Sequence, residues 1–356
     1  MRTILAALAL LAAAPALAQT PQLPFAVAEG DVVLKDFAFG DGKILPEVRQ
    51  HYRTLGQPDR NAAGEITNAV MVMHGTGGTG AQFLVPQFAE LFGPGQPLDL
   101  GRYFVILPDA IGHGASSKPS DGLKMQFPAY DYADMVRAQK LMLDRLGVKK
   151  LRLMMGTSMG CMMSFQFGVD YPQIAKAMMP LACNTVELAG RNRMWRHIAV
   201  QAIKADPVWN GGNYTRSPLD GMKVGLALQM MASSAPVRQQ ADFPTREAAE
   251  AAADRQMAAA LAGAPDANDR IYQLEASRNY NPSPLLARIT VPVTWVNSAD
   301  DFINPPNLGL AERDVAKMPQ GRFVLIPETA ETRGHSTHTW ARFWKGALAD
   351  LLKRTE

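Results

Sequence analysis

The sequence predicts an α/β fold built on a mostly parallel, doubly wound sheet. Short apolar runs recur along the chain, and several are followed by a turn and then by a helical pattern. Continuous apolar runs of this length are typical of parallel strands that are buried on both faces. Alternation of strands and helices indicates that the strands share one parallel sheet. The predicted parallel strands are 70–73, 103–107, 151–155, 177–181, 291–296 and 323–326.

Further patterns complete the sheet and place helices between its strands. Two runs, 32–37 and 48–52, predict antiparallel strands at the N-terminal edge of the sheet. Helical patterns are found at 133–146, 159–169 and 308–317.

The middle of the chain interrupts this alternation. It stops after Asn184 and resumes near Val291, and the sequence between is helical and rich in Met, Ala and Trp. A structureless loop of that length would be unusual in a compact domain. We therefore expect a helical cap over 184–286, inserted into a core formed by 19–183 and 287–356. Caps over such sheets shape the pocket and exclude water.

The composition is that of a globular protein, with 47% apolar and 19% charged residues. The formal net charge is +3, and no run of Lys or Arg is long enough to form a nucleic-acid-binding stripe. We therefore expect no nucleic-acid partner.

The segment 1–18 has the pattern of a secretory signal peptide. Arg2 provides a positive charge, 4–14 form an apolar run too short to span a bilayer, and 16–18 read Ala-Leu-Ala. Cleavage after Ala18 would place the mature protein in the periplasm or outside the cell. No later segment approaches a membrane span in length and hydrophobicity.

Cys161 and Cys183 are the two cysteines of the chain. An oxidising compartment permits a bridge between them, but the sequence does not fix how close their Cα atoms come. Because both lie in apolar stretches, we expect two buried thiols in preference to a bridge. Their spacing matches no zinc-site pattern.

The segment 156–160 reads Gly-Thr-Ser-Met-Gly, a G-x-S-x-G pentapeptide. The pentapeptide alone is weak evidence, but here it follows a predicted strand and opens a predicted helix, as a nucleophile elbow does. The sharp turn needs small residues around Ser158 and exposes the serine Oγ above the sheet. It also places the backbone N–H of Met159 where it would stabilise an oxyanion at the positive end of the helix dipole.

A glycine-rich stretch, 74–78, reads His-Gly-Thr-Gly-Gly and follows the strand 70–73. We expect its backbone to supply the second oxyanion N–H, from Thr76. A flexible turn or a phosphate-binding loop is the alternative, but the Lys-Ser/Thr pair that a P-loop requires does not follow.

The remaining members of a triad follow in the chain order of this architecture, acid before histidine. Asp300 and Asp301 end a predicted strand, and His335 and His338 follow the last predicted strand. A serine needs a base to take its proton, and the base needs a carboxylate to fix its tautomer. We favour His335, in a loop after a glycine, over His338, which we expect at the start of the last helix. The two histidines have no third metal ligand near them in the sequence, so we expect neither a metal nor a cofactor.

Several segments resemble the homoserine O-acetyltransferases, a branch of the α/β-hydrolases. The matching segments are GTSMGCMMSFQF at the elbow, YPQIAKAMMPLA up to the following strand, QAIKADPVWNGGNY in the cap, SADDFINPP at the acid, and the Gly-His that ends at His335. The resemblance runs from about Val32 to the C-terminus, and its cap segment is specific to this branch. It implies the α/β-hydrolase fold with an inserted cap, Asp301 rather than Asp300 as the acid, and His335 as the base. It is also compatible with a homodimer formed through the cap.

The sequence departs from that family at positions that bear on the acceptor substrate. The family has an arginine that holds the amino-acid carboxylate just before its Gln-Ala-Ile motif, and Val200 stands there in this chain. An apolar side chain cannot clamp a carboxylate. Ser336 replaces the family's Asp after the Gly-His, and the stretch 74–78 is more typical of ordinary hydrolases. The predicted signal peptide would also send the protein where acetyl-CoA is scarce.

We therefore expect a serine hydrolase that cleaves a small-molecule ester, or an amide or lactone, through an acyl-enzyme on Ser158. His335 would act as base and then as acid, and Asp301 would orient it. The N–H groups of Met159 and Thr76 would hold the oxyanion. The alternative is an acyl-CoA-dependent O-acyltransferase of the homoserine O-acetyltransferase type, which uses the same acyl-enzyme. A non-enzymatic binding protein is disfavoured because every triad member is present.

Overall fold

A single eight-stranded sheet organises the computed structural model, which describes residues 24–356. The predicted signal peptide, 1–18, lies outside the described residues. The strands are β1 (Ala28–Ala38), β2 (Ile44–Leu55), β3 (Ala69–Met73), β4 (Phe104–Pro108), β5 (Leu153–Thr157), β6 (Met178–Leu181), β7 (Val293–Ser298) and β8 (Gly321–Ile326). They lie in the order β1-β2-β4-β3-β5-β6-β7-β8.

The direction of the strands agrees with the sequence-based prediction. β1 pairs antiparallel with β2, and β2 pairs antiparallel with β4. All neighbouring pairs from β4 to β8 are parallel. The prediction of a mostly parallel α/β sheet is confirmed.

Helices surround the sheet and fill the long connection between β6 and β7. They are α1 (Pro86–Ala89), α2 (Tyr132–Leu146), α3 (Met159–Asp170), α4 (Gly190–Ala205), α5 (Leu219–Ala232), α6 (Pro236–Asp242), α7 (Arg246–Ala262), α8 (Ala267–Glu275), α9 (Leu310–Val315) and α10 (Lys345–Arg354). Among residues 24–356, no helix combines the length and the apolarity needed to cross a bilayer.

Successive side chains of a strand point to opposite faces of the sheet, so the core is divided between the two faces. In β3, Met71 and Met73 pack into the cluster that contains residues of α2 and α3. Val70 and Val72 pack into the opposite cluster, which contains α1 and α10. Because both faces are covered, this strand is apolar at every position, as the sequence pattern predicted.

Five helices, α4 to α8, lie between β6 and β7, and three of them, α4, α5 and α8, supply the buried residues of a separate small hydrophobic cluster. Its buried members are Trp195, Ala199, Val200, Ile203, Met222, Ala267, Ile271 and Leu274. Val200 is therefore part of the packing between these helices, with 2% of its surface exposed.

The expectation of two free thiols is wrong, because Cys161 and Cys183 form a disulfide. Cys161 lies in the first turn of α3, and Cys183 follows β6. Their Cα atoms are 5.8 Å apart, within the range that a disulfide spans. Both residues are buried as expected. The pairing of β5 with β6 brings together two apolar segments that the sequence keeps 22 residues apart.

Two helix predictions near the C-terminus also differ from the structure. The helix expected over 308–317 is limited to α9, which starts at Leu310 because the preceding Gly309 has a left-handed φ of +64°, and which ends at Val315. His338 does not start the last helix. It lies in the same 3-10 turn as His335, Gly334–Thr339, and α10 begins only at Lys345.

Candidate active site

Ser158 lies at a sharp turn between β5 and α3. Its φ of +54° and ψ of −110° form a conformation that residues other than glycine rarely adopt. Close backbone approaches explain the flanking glycines. A Cβ on Gly156 would lie 2.1 Å from the carbonyl oxygen of Gly160, and a Cβ on Gly160 would lie 2.0 Å from that of Met73. Met159 follows directly as the first residue of α3.

His335 connects the serine to a buried carboxylate. Its Nε2 lies 2.9 Å from Ser158 Oγ, and its Nδ1 lies 3.0 and 2.9 Å from the two carboxylate oxygens of Asp301. Oδ1 of Asp301 also accepts hydrogen bonds from the N–H groups of Ile303 and Asn304, at 2.8 and 3.0 Å. These bonds offset the cost of burying a carboxylate that is only 2% exposed. The structure thus brings together the three side chains that the sequence singled out.

The two residues that the sequence left as alternatives have other contacts. Asp300 accepts a hydrogen bond from the backbone N–H of Gly334 at 2.9 Å and another from the Ser298 hydroxyl. The His338 ring lies 5.0 Å from the His335 ring, centroid to centroid. Burial and the nearby His335 hold the pKa of His338 well below its usual value. In the described part of the chain, His335 and not His338 bridges Ser158 to the acid.

Gln82 fixes the glycine-rich loop 74–78 against the elbow. Its Oε1 accepts from the Gly75 N–H at 3.1 Å, and its Nε2 donates to Thr157 Oγ1 at 3.0 Å. The loop passes so close that a Cβ on Gly75 would lie 3.4 Å from the Cβ of Ser158. Sequence analysis missed Gln82, since no motif marks an amide that joins two loops through space.

His74 holds the start of this loop as a neutral imidazole. Its Nε2 accepts from the Ala110 N–H at 2.9 Å, so Nδ1 carries the proton and donates to the Gly75 carbonyl, also at 2.9 Å. Burial lowers the pKa of His74. The His113 ring lies 4.9 Å from it, and burial together with His74 lowers the pKa of His113 further. Both histidines therefore stay uncharged and support the loop.

Comparison with known proteins agrees with this geometry. The family model for the alpha/beta hydrolase fold matches residues 68–332, which is most of the chain and runs from just before β3 past β8. The chain belongs to the alpha/beta hydrolase fold family. The match contains Ser158 and Asp301 and ends three residues before His335.

The individual proteins that this chain resembles are named homoserine O-acetyltransferase in some cases and esterase in others. The homoserine O-acetyltransferase of Solidesulfovibrio magneticus is 38% identical over 219 residues, which are 56% of this chain and 53% of that protein. The match therefore spans about half the length of this relative. The crystal structure of esterase E22 superposes with a TM-score of 0.79 at 20% identity and covers 92% of this chain and 100% of that one. The homoserine O-acetyltransferase of Bacillus anthracis superposes with a TM-score of 0.80, also at 20% identity, over 92% and 98% of the two chains.

A cavity of about 330 Å³ opens above Ser158, between the sheet and the helices α4 and α5. It is lined by Gly75, Thr76, Gly77, Gly78, Gln82, Ser158, Trp195, Arg196, Gln229, Ser233, Ile303, His335, Ser336, His338 and Thr339. A larger cavity of about 540 Å³, which Ile303 also lines, lies at the start of α4, but no member of the Ser158–His335–Asp301 series lines it. The smaller cavity is therefore the candidate active site. Thr76 lines this cavity, and Met159 directly follows Ser158 as the first residue of α3.

Proposed function

We propose that this chain is a serine esterase that forms an acyl-enzyme on Ser158. The continuous series of hydrogen bonds from Ser158 Oγ through His335 to Asp301 carries the proposal. In this reaction Oγ attacks the acyl carbonyl carbon while its proton moves to His335 Nε2. Asp301 keeps Nδ1 protonated and stabilises the imidazolium that forms.

The backbone N–H groups of Met159 and Thr76 would stabilise the negative charge that develops on the carbonyl oxygen. The position of Met159 at the start of α3 supports its role, because the helix dipole favours negative charge there. His335 then gives its proton to the departing alcohol. In the second half-reaction His335 takes a proton from water, the hydroxide attacks the acyl group, and Ser158 is released with its proton restored.

Transfer of the acyl group to an acceptor alcohol is the second candidate function. The relatives that are named homoserine O-acetyltransferase favour it, and it requires only that an acceptor hydroxyl replaces water. Val200, buried in the cluster of α4, α5 and α8, argues against transfer through the family's own acceptor contact, because the acceptor-binding arginine implied by the resemblance is missing at that position. We therefore place hydrolysis first.

We also propose that the protein works in the periplasm or outside the cell. The pattern of a signal peptide at 1–18 supports this location. The bridge between Cys161 and Cys183 supports it independently, because disulfides persist in oxidising compartments.

A series of p-nitrophenyl esters tests the proposed function, with wild type and Ser158→Ala assayed in the presence and absence of homoserine and acetyl-CoA. We expect hydrolysis that is lost in Ser158→Ala and indifferent to both additions. Acyl transfer to homoserine that outpaces hydrolysis would establish the acyltransferase instead. Hydrolysis that survives in Ser158→Ala would exclude both candidates.

A further inference from the structure

Two arginines beside the candidate active site are buried without a carboxylate partner. Arg196 on α4 is 3% exposed, and Arg270 on α8 is 4% exposed. Among the described residues, neither guanidinium lies within 4.0 Å of an Asp or Glu oxygen, whereas their neighbour Arg193 pairs with Glu275. Burying an unpaired charge is costly, so such a group calls for an anion that is bound from outside the chain.

Arg196 lines the cavity and has a donor without a partner. Its Nε donates to Asn192 Oδ1 at 3.0 Å, but its Nη1 is buried without a partner. The neighbouring Trp195 has a buried Nε1–H that is equally unpartnered, and both side chains line the cavity with Ser158. Thr76 Oγ1 is a third buried polar atom without a partner there. Because Nη1 and Nε1 can only donate, their ligand must offer acceptor oxygens.

Arg270 adds a second positive charge next to the glycine-rich loop. Its Nη2 donates to Gln229 Oε1, which lines the cavity. Its Nη1 lies against the loop, only 2.9 Å from where a Cβ on Gly77 would be. The pKa of Arg270 is lowered to about 10, mainly by burial and to a smaller extent by the charge of Arg196. Arg270 is thus charged at neutral pH, and an anion near the two guanidinium groups would relieve their repulsion. Within residues 24–356, no Asp or Glu lines the cavity to do so.

We infer that the cavity holds a carboxylate of the substrate between Arg196 Nη1 and Trp195 Nε1, with Arg270 as a supporting charge. This inference rests on the proposed function, since it names the substrate class of the same site. Two donors match the two oxygens of a planar carboxylate, and guanidinium suits such recognition. The substrate class is then an ester whose acyl or alcohol part bears a carboxylate. None of these groups stands at the position of Val200.

Two isosteric pairs of aliphatic esters test the inference on both sides of the ester bond. Monomethyl succinate carries the carboxylate on the acyl side, and methyl succinamate replaces it with a neutral amide. On the alcohol side, 4-acetoxybutanoate carries the carboxylate, and 4-acetoxybutanamide replaces it with a neutral amide. Acid release at constant pH gives kcat/KM for each ester. We expect the wild type to prefer the anion of at least one pair by about 30-fold.

The ratio of kcat/KM for anion over amide, measured within each variant, isolates the contribution of the arginine. In Arg196→Met we expect this ratio to fall to about 1. In Arg196→Lys we expect a ratio between that value and the wild-type ratio, because the charge is kept but the planar guanidinium is lost. Lys204→Met removes an exposed charge from the same helix and should keep the wild-type ratio. A wild-type ratio near 1 for both pairs, or a ratio unchanged in Arg196→Met, would overturn the inference.

Binding to Ser158→Ala separates this inference from the proposed chemistry. Calorimetric titration should show that this variant binds monomethyl succinate or 4-acetoxybutanoate at least about ten-fold more tightly than the matching amide. The preference should vanish in Ser158→Ala/Arg196→Met. If wild type hydrolyses no ester but Ser158→Ala prefers the anions, only the proposed function fails. If wild type hydrolyses esters and Ser158→Ala shows no preference for anions, only the present inference fails.

Discussion

Asp300 and Asp301 hold two consecutive residues of the same turn. Asp300 Oδ2 accepts from the backbone N–H of Gly334 at 2.9 Å, and Asp301 contacts Nδ1 of His335 at 2.9 and 3.0 Å. The two adjacent carboxylates that follow β7 therefore both help to position His335, the proposed base, but through different contacts. Asp300 holds the backbone of the preceding residue, Gly334, and Asp301 holds the ring of His335.

This division predicts unequal effects of two matched substitutions. Asp301→Asn should lower kcat for p-nitrophenyl acetate by about 10,000-fold, because an amide cannot stabilise the imidazolium and favours the wrong tautomer. Asp300→Asn should lower kcat by less than about ten-fold, since its amide oxygen still accepts from Gly334. Equal losses in the two variants would contradict the assignment of Asp301 as the acid.

The tight packing of the elbow predicts a large cost for one methyl group. Gly160→Ala would place a Cβ 2.0 Å from the carbonyl oxygen of Met73, so we expect it to lower the free energy of unfolding by about 3 kcal/mol. Gly346→Ala is the control, because no atom lies within 4 Å of its added Cβ in α10. That change should leave stability equal or raise it by up to about 1 kcal/mol. Urea unfolding measures both, and a Gly160→Ala variant as stable as wild type would show that the elbow is built differently.

The disulfide predicts a stability that depends on the redox state. Cys161 and Cys183 close a loop with a sequence separation of 22, so reduction should lower the free energy of unfolding by about 3 kcal/mol. Denaturation with and without dithiothreitol measures the difference. The double variant Cys161→Ser/Cys183→Ser should resemble reduced wild type and should not respond to the reductant. A wild type that is equally stable with and without reductant would contradict the bridge.

The buried His113 predicts a loss of stability in mild acid. Its pKa in the folded protein is held well below the usual 6.5 by burial and by His74, so the unfolded chain takes up a proton first as the pH falls. Its contribution to stability is therefore complete above pH 6.5 and declines as the pH falls toward the folded-state pKa. Between pH 6.5 and about 5.5, wild type should lose about 1 kcal/mol more than His113→Asn. Parallel pH profiles for the two proteins in urea unfolding would show that His113 titrates normally.

The fold and the three residues of the hydrogen-bonded series were predictable because each leaves a local pattern. Strand β3 is apolar at every position because both faces are covered, and Gly156 and Gly160 are required by contacts within a few residues of Ser158 or in the adjacent strand. The order of acid and histidine after the serine follows from the order in which strands reach the same edge of the sheet.

The remaining features depend on contacts between segments that are distant in the chain. Gln82 reaches Thr157 across 75 residues, and the bridge of Cys161 depends on the pairing of β5 with β6. Sequence analysis did not single out Arg196, and only the packing of α4 over the serine shows that its Nη1 is buried without a partner. The sequence has no local mark for such a group, because its burial is decided by the elements that pack against it.

Covalent labelling of Ser158 tests the central claim most directly. A fluorophosphonate reacts with a serine only when a neighbouring base activates its hydroxyl. Intact-mass and peptide-mass spectrometry should find one adduct per chain on the peptide that contains Ser158. The adduct should be absent in Ser158→Ala and strongly slowed in His335→Ala, but it should form normally in Lys204→Met. An adduct on another residue, or an unlabelled wild type that is correctly folded, would contradict the account.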